Sequence, residues 1–405
     1  MWLTKAEQPT TETRFLDDIL ADLEQDPALV LRANKTIEKM KKKYPVLADA
    51  LAAPQSSNKH GEGPRVEDHV RHGLICLYAL LDGKFRLLEI EEFRRLKGYE
   101  GEIEEIERTI KERAAFFEAF VFFHDIGKGS AIQFRAREGT KGAELGFGKD
   151  LKLGWEELGG EGVFVARMKY DELFENYIAE HSAADPREVQ KDFFQEYGIS
   201  ISNRGHDKAI YVPRFQEVVR EAAAEMRLPE HDVDLLIEVI ASHMKPLHMF
   251  WTKADPKNYQ LLVDHVVNLG HDPDDFLDVL LAGVALDVAF GNEQVSSTGY
   301  KHPFRVIENF LRAEHDFAPW KREEAEIEKN KKLKKLKNKI YQRVELDGDS
   351  LLKLAGMEPG PEFGKLLRAI QAAVEDPMQM PALKEPVKSE IERRILKARK
   401  EMAEL

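Results

Sequence analysis

The chain has one cysteine in 405 residues, Cys76, so no internal disulfide is possible and its stability has to come from packing. Cys76 lies in the apolar stretch Gly73-Leu74-Ile75-Cys76-Leu77-Tyr78, where a small buried thiol suited to a reducing cytoplasm is expected. Long apolar runs are missing as well. The most apolar short stretch, Ala114 to Phe123, is interrupted by Glu118 and falls well short of the ~20 residues that cross a bilayer. The N-terminus, MWLTKAEQPTTETRF, lacks the basic-then-apolar order of a secretory signal. A cytoplasmic location without a membrane partner is the expectation. A surplus of positive charge is also absent: the net charge is −13 and the sequence pI about 5.6. A phosphate polyanion is repelled over most of such a surface, so any contact with nucleic acid has to be local.

Strand-like alternation is sparse, and helical periodicity is what the chain has instead. Residues 13 to 52 carry it through Phe15, Ile19, Leu20 and Leu23, then Ile37, Met40, Tyr44, Leu47 and Leu51. A polar stretch from Pro54 to Pro64 reads as a loop. Helical patterns resume at Val66–Leu81, Glu102–Gly127, Pro213–Met226, Val233–Met244, Gln260–Leu269 and Asp274–Phe290. The expected fold class is therefore mainly α. With 43% hydrophobic residues the chain can bury a real core. Between about 129 and 203 glycines multiply and charge is mixed, which reads as an irregular insertion. Within it Gly162-Val163-Phe164-Val165 suggests a strand and Leu173 to Glu180 a helix. These divisions predict a helical N-terminal extension (1–58), a central domain (59–318) carrying the insertion, and a tail (319–405).

Five residues stand where apolar packing is expected and carry polar chemistry. His124 ends the run Ala114 to Phe123 and shares a helical face with Phe117, Phe120 and Val121; Asp125 follows it. A carboxylate there is costly unless it is paired or bound to a cation. Asp287 repeats the problem between Leu280, Gly283 and Val284. His243 closes a helix with Leu236, Val239 and Ile240 on its face, and His69 falls beside Val66, Val70, Gly73 and Leu77. Any one of these histidines alone is better explained as a hydrogen-bonded core residue. Several of them with two buried acids, on separate helices, suit a divalent transition metal. His72, one turn from His69, is the rival for its role and otherwise a packing or solvent-side histidine.

The same residues carry a resemblance. The order His69, His124-Asp125-Ile126-Gly127-Lys128, His243, Asp287 resembles the HD superfamily of metal-dependent phosphohydrolases. Lys59 to His69 is similar to the loop-then-histidine entry of the HD domains found in tRNA nucleotidyltransferases. Arg204-Gly205-His206-Asp207 is similar to that group's Gly-His motif, and Ile237 to His243 to its next one. The resemblance spans about 60 to 290 and implies an HD helical bundle that hydrolyses phosphoesters of nucleotides or RNA ends. It implies that His69, His124, Asp125 and Asp287 hold a first ion. His206 and His243 would hold a second, with Asp125 bridging. The donors suit Mn, Ni, Co, Fe, Mg or Zn, as one ion or two. A metal of this kind lowers the pKa of water and stabilises charge on a phosphoryl oxygen.

Asp125 and Lys128 are the expected catalytic residues. Lys128 offers an ammonium to a substrate phosphate, or else sits as a lysine favoured by a helix C-terminus. Arg204 and Lys208 bracket His206 as further candidates for substrate phosphate. Two other readings remain at this level: an RNA-binding or regulatory module whose metal is structural, and a nucleoside triphosphate phosphohydrolase.

Glu323 to Val344 reads as a long charged helix, a compact piece follows from Leu346 to about Val374, and a last charged helix runs from Ser389 to Leu405. The piece from Gly348 to Arg368, a helix, a Gly cap, a Pro-Gly-Pro turn and another helix, is similar to the C-terminal segment of bacterial tRNA nucleotidyltransferases. The nucleotidyltransferase head has no counterpart, which argues against CCA addition. Gly360 to Lys365 is no P-loop, since Leu366 stands where Ser or Thr should hold magnesium. Lys329 to Lys339 contains seven lysines beside an apolar stripe of Leu333, Leu336, Ile340 and Val344. This is either a solvated helix or a contact for structured RNA across 329–368.

The second alternative predicts that changing Lys331, Lys332, Lys334 and Lys335 together to Gln preserves folding and weakens binding of structured RNA. The log-log salt slope should flatten by about 0.7 to 0.9 for each phosphate that is no longer neutralised. Filter binding at several salt concentrations checks this, and unaltered affinity would leave the lysines as a solvated face.

Overall fold

The computed structural model describes residues 16–55, 63–147, 161–181, 186–290 and 304–405. As the periodicity predicts, the fold is mainly α, with one small two-stranded sheet among the described residues. The chain divides into two compact units, Met1–Phe317 and Ala318–Leu405.

The first unit opens with α1 (Leu16–Glu24), α2 (Pro27–Lys43) and α3 (Pro45–Leu51). Asp26 caps α2 by accepting from the amides of Ala28 and Leu29, Pro27 sits at its first position, and Lys41, Lys42 and Lys43 face its negative end. These three helices bury Ile19, Leu29, Ile37 and Leu47 in the same core as the helices that follow, so they are part of the first unit's body. Next come α4 (Val66–Leu81), the short α5 (Glu91–Arg94), α6 (Glu100–Glu112) and α7 (Ala114–Phe123). The loop entry before α4 is described only in part, because 56–62 lie outside the described residues.

Helix α7 is apolar nearly all round, and Phe116, Phe117, Phe120, Phe122 and Phe123 are fully buried, as expected of a helix surrounded by others. After the insertion come α10 (Pro213–Glu225), α11 (Glu230–Ser242), α12 (Met244–Phe250), α13 (Pro256–Leu269) and α14 (Pro273–Phe290). Helices α4, α11 and α14 pack on α7. Gly283 permits the approach of α14: a Cβ there would stand 2.9 Å from Phe120 Cζ, closer than packed carbons tolerate.

The insertion is more regular than its glycines suggest. Between α7 and α10 lie β1 (Gln133–Ala136), α8 (Glu161–Glu180), α9 (Pro186–Tyr197) and β2 (Ile199–Ser202). The strands pair antiparallel, with Phe134 opposite Ile201 and Ala136 opposite Ile199. A separate core forms from Phe134, Phe147, Tyr170, Phe174, Tyr177, Val189, Phe193, Ile199 and Ile201. Its rings pack in sequence: Phe134 stacks on Tyr170 with centroids 5.0 Å apart, and Phe174 meets Phe193 edge to face at 5.0 Å.

The strand expected at 162–165 is a correction: those residues form the first turns of α8. Local β-branched preference loses there to the spacing of Tyr170, Phe174 and Tyr177, which brings three rings to one helical face. The helix expected from Leu173 to Glu180 is the second half of α8. Strands occur where Phe134/Ala136 and Ile199/Ile201 alternate inward.

The long helix α15 (Phe304–Arg343) begins nineteen residues before the start expected at Glu323, and its first residues, Phe304, Ile307, Phe310 and Leu311, belong to the core of the first unit, while the rest from Ala318 belongs to the second. Then come α16 (Gly348–Ala355), capped by Asp347 accepting from the Ser350 amide and ended by Gly356 at φ 61°, α17 (Pro361–Glu375) and α18 (Val387–Ala403). Leu346, Leu351, Phe363, Ile370, Ile391 and Ile395 form their core. Among the described residues no helix is long and apolar enough to cross a membrane.

If the insertion is held by its own core, Phe193→Ala should cost it about 3–5 kcal/mol. Hydrogen exchange is then expected to accelerate across 189–202 and the strand at 133–136, while α4 and α14 keep their protection. Uniform loss over the first unit would contradict an independent core.

Candidate metal centre

The four packed helices bring their polar residues to one place. His69 projects from the first turn of α4, His124 and Asp125 follow the last turn of α7, His243 follows the last residue of α11, and Asp287 lies in the last turn of α14. His206 begins a short 3₁₀ turn, His206–Tyr211, after Gly205, whose φ of 79° turns the chain in the left-handed region. Gly127 lets that turn come close, since a Cβ at 127 would collide with the His206 carbonyl oxygen and with Ala209. His69, His124, Asp125, His206 and His243 are all buried. The six residues form two triads, His69–His124–Asp287 and Asp125–His206–His243, each with its donor atoms within 4.8 Å of one another, and these groups could hold a metal ion.

Asp125 lies between the triads. Its Oδ1 is 3.0 Å from His206 Nε2, whereas its Oδ2 is 3.4 Å from His124 Nε2, 3.5 Å from His69 Nε2 and 2.5 Å from Lys128 Nζ. Asp287 Oδ1 is 3.4 Å from His69 Nε2 and 3.5 Å from His124 Nε2. The His69 and His124 Nε2 atoms are 3.1 Å apart, and those of His206 and His243 are 3.3 Å apart.

Backbone carbonyls orient three of the imidazoles. His124 Nδ1 lies 3.2 and 3.1 Å from the oxygens of Phe120 and Val121, His206 Nδ1 2.8 Å from that of Asn203, and His243 Nδ1 2.6 Å from that of Ile240. A carbonyl only accepts, so each Nδ1 carries the proton and donates, which leaves Nε2 to the centre as an acceptor or metal ligand. Lone pairs of His206 and His243 facing each other at 3.3 Å repel unless a proton or another cation stands between them. The donor set of imidazole nitrogen and carboxylate oxygen fits a first-row divalent ion. Phe120 stacks on the His124 ring, with centroids 5.2 Å apart and planes 18° apart, fixing the ring further.

Burial raises the Asp125 carboxyl, but Lys128, His124 and His206 outweigh it and hold the group well below the usual carboxylate range. Burial likewise opposes ionisation of Asp287, and the adjacent imidazoles of His124 and His69 reverse it and hold the group well below the usual carboxylate range. Burial first, then the nearby His206 and His124, pushes His243 down to about 4. Both acids are therefore anionic and His243 is neutral at pH 7, the protonation states that metal binding requires.

All six expected ligands come together, and His72 does not join them. It is turned to Glu24, with Nδ1 3.0 Å from Oε1, and its Nε2 is buried without a hydrogen-bond partner. Lys128 is buried against Asp125. Arg204 is exposed. Lys208 donates to the Ala241 carbonyl and lies 3.5 Å from Asp207 Oδ2. Asn203, which sequence reasoning missed, donates from Nδ2 to the Lys128 carbonyl at 2.8 Å while its own carbonyl receives His206 Nδ1. It ties together the two roots of the insertion. Its position three residues before His206 was the available signal. No family model matches the chain, nor does any curated protein or solved structure.

The sign of the His243 shift gives a pH test on metal-stripped protein. With a folded-state pKa about 4 against an ordinary 6.5, the unfolded chain takes up the extra proton between those values, so stability rises with pH across the window. Urea unfolding is expected to show stability highest above pH 6.5 and falling toward pH 4, with a shallower fall in His243→Gln. Identical slopes in the two proteins would remove His243 from this role.

Proposed function

We propose that the chain is a metal-dependent phosphohydrolase of the HD type, acting on nucleotides or RNA ends. The observation that carries this reading is the Asp125 carboxylate, which turns one oxygen toward His206 and the other toward His69 and His124. A carboxylate shared in this way is what a two-ion centre requires, and the resemblance of His124-Asp125 and its distant partners to HD proteins points the same way. In this reading His69, His124 and Asp287 would hold one ion and His206 and His243 a second, with Asp125 available to each. The second triad supports two ions rather than one. When bound, divalent ions supply Lewis acidity toward a phosphoryl oxygen and lower the pKa of water toward neutrality.

The chain's own residues do the rest. Phe120, Val121, Asn203 and Ile240 hold the imidazoles by their carbonyls so that Nε2 faces inward. Lys128 keeps Asp125 ionised and supplies positive charge where a phosphate enters. In this reading Lys208 and Arg204, which flank His206 in the sequence, would be the residues to meet the remaining phosphate oxygens.

A second reading, RNA binding with a structural metal, is favoured by one observation. Residues 321–336 of α15 are exposed on every side, and the lysine run lies largely within that stretch, where it is open to solvent and to a polyanion. A nucleoside triphosphate phosphohydrolase uses the same centre with a different substrate.

Asp125→Ala is expected to lower hydrolysis by at least about 10²–10³-fold and to strip metal, checked by elemental analysis and by turnover of phosphomonoesters, cyclic phosphates and nucleoside triphosphates. Wild-type metal content in the variant would sink the assignment. One ion per chain in fully active protein would remove the second ion and keep the first.

A further inference from the structure

Charge is sorted along the exposed middle of α15. Residues 323–328 hold four glutamates and no cation, and residues 329–339 hold seven lysines and no acid. Lysines at i, i+3 and i, i+4, such as Lys331 with Lys334 and Lys335, repel one another. Lys329 reaches Glu326 at 3.8 Å, a long, solvent-exposed pair that adds little. A helix that is polar nearly all round and exposed over 321–336 has to draw its support from somewhere else.

One face of it has an order of its own. At about 100° per residue, Glu323, Glu326, Ile327, Leu333, Lys334 and Lys337 all fall within about 60° of Asn330. Along the helix this face runs acid, acid, isoleucine, asparagine, leucine, lysine, lysine. Ile327 and Leu333 are 46% and 42% exposed.

Reversed end to end, the face is complementary to itself. Two copies laid antiparallel and crossing at Asn330 bring Ile327 level with Leu333 of the second copy, Glu326 with its Lys334 and Glu323 with its Lys337. Two-fold symmetry makes each match twice. Lys337 is already held by Glu375 of its own unit, so the charge matching falls mainly on Glu326 and Lys334. A parallel pair in register sets acid against acid and lysine against lysine. The paired asparagines at the crossing favour one register, because a slip leaves their amides facing apolar groups.

We propose that this face of α15 docks a second copy of the chain, in an antiparallel two-fold pair centred on Asn330. A phosphate polyanion answers the lysines alone; the four glutamates repel it, and Ile327 and Leu333 have no part in holding it. A second copy answers all three features. The contact runs about four turns and its ion pairs are exposed, so the association is weak and sensitive to salt. It is independent of the metal centre.

Sedimentation equilibrium of the full chain at low salt should show monomer and dimer in exchange at micromolar concentration. Association should fall at least about tenfold from about 0.05 to about 0.5 M salt. Glu326→Lys and Lys334→Glu, both at exposed positions, should each stay monomeric with the circular dichroism of wild type. An equimolar mixture of the two should regain the dimer, because each copy then carries the charge that the other lacks.

Cross-linking checks the direction of the pair, since the chain's only cysteine, Cys76, is buried. Asn330→Cys should join two copies on mild oxidation. Glu323→Cys should not, because antiparallel pairing separates its two sulfurs by about 20 Å along the axis. A wild-type chain that is monomeric at low salt overturns the proposal, as does a mixture that regains no dimer, or Glu323→Cys cross-linking as readily as Asn330→Cys. Loss of RNA affinity on changing Lys331, Lys332, Lys334 and Lys335 to Gln, in a chain that is monomeric throughout, gives the helix to a polyanion instead.

Discussion

A carboxylate buried in the middle of the first unit is the constraint on which the rest of that unit depends. Asp125 is 2% exposed, and an ion at such a depth is tolerated only when opposite charge and hydrogen-bond donors surround it. Lys128 supplies the charge from one turn away, and His69, His124 and His206 reach the two oxygens from three different parts of the chain. To bring them there α4, α7, α11 and α14 have to pack at close range. The Gly283 contact with Phe120 and the Gly127 contact with the His206 turn show where side chains were given up to allow it.

Orientation is supplied by backbone. The histidines at positions 124, 206 and 243 each spend Nδ1 on a carbonyl three or four residues earlier, so the end of a helix or the turn before a 3₁₀ segment sets both the tautomer and the direction of Nε2. This is a local device, repeated three times, and it makes each donor independent of side-chain partners that substitution would remove. The insertion fits the same scheme. It leaves the centre after Lys128 and returns just before His206, and Asn203 holds the two ends together, so a separately packed lobe can be carried without disturbing the donors on either side of it.

Much of this was legible in the sequence because it is periodic. Helices α4, α7, α11 and α14 repeat apolar residues at helical spacing, and the misplaced polar residues His69, His124, Asp125, His243 and Asp287 stand out against that pattern. The insertion was less legible. Its glycines suggested irregular chain, and the short run 162–165 suggested a strand, because a local β preference weighs heavily when its tertiary partners are unknown. Tyr170, Phe174 and Phe193 find each other only in three dimensions.

The sequence by itself determined a mainly helical chain and pointed to five candidate ligands, since both follow from which residue types recur at which spacing; the sixth, His206, came only from the resemblance of Arg204-Gly205-His206-Asp207. Tertiary structure alone decided between His69 and His72, three residues apart on one buried helix: α4 is rotated so that His69 faces His124 while His72 meets Glu24. It alone paired Lys128 with Asp125, brought Lys208 to the Ala241 carbonyl and set His265 against Ser242. Such pairings join residues up to tens of positions apart, and spacing along a chain does not encode the angle at which one helix meets another.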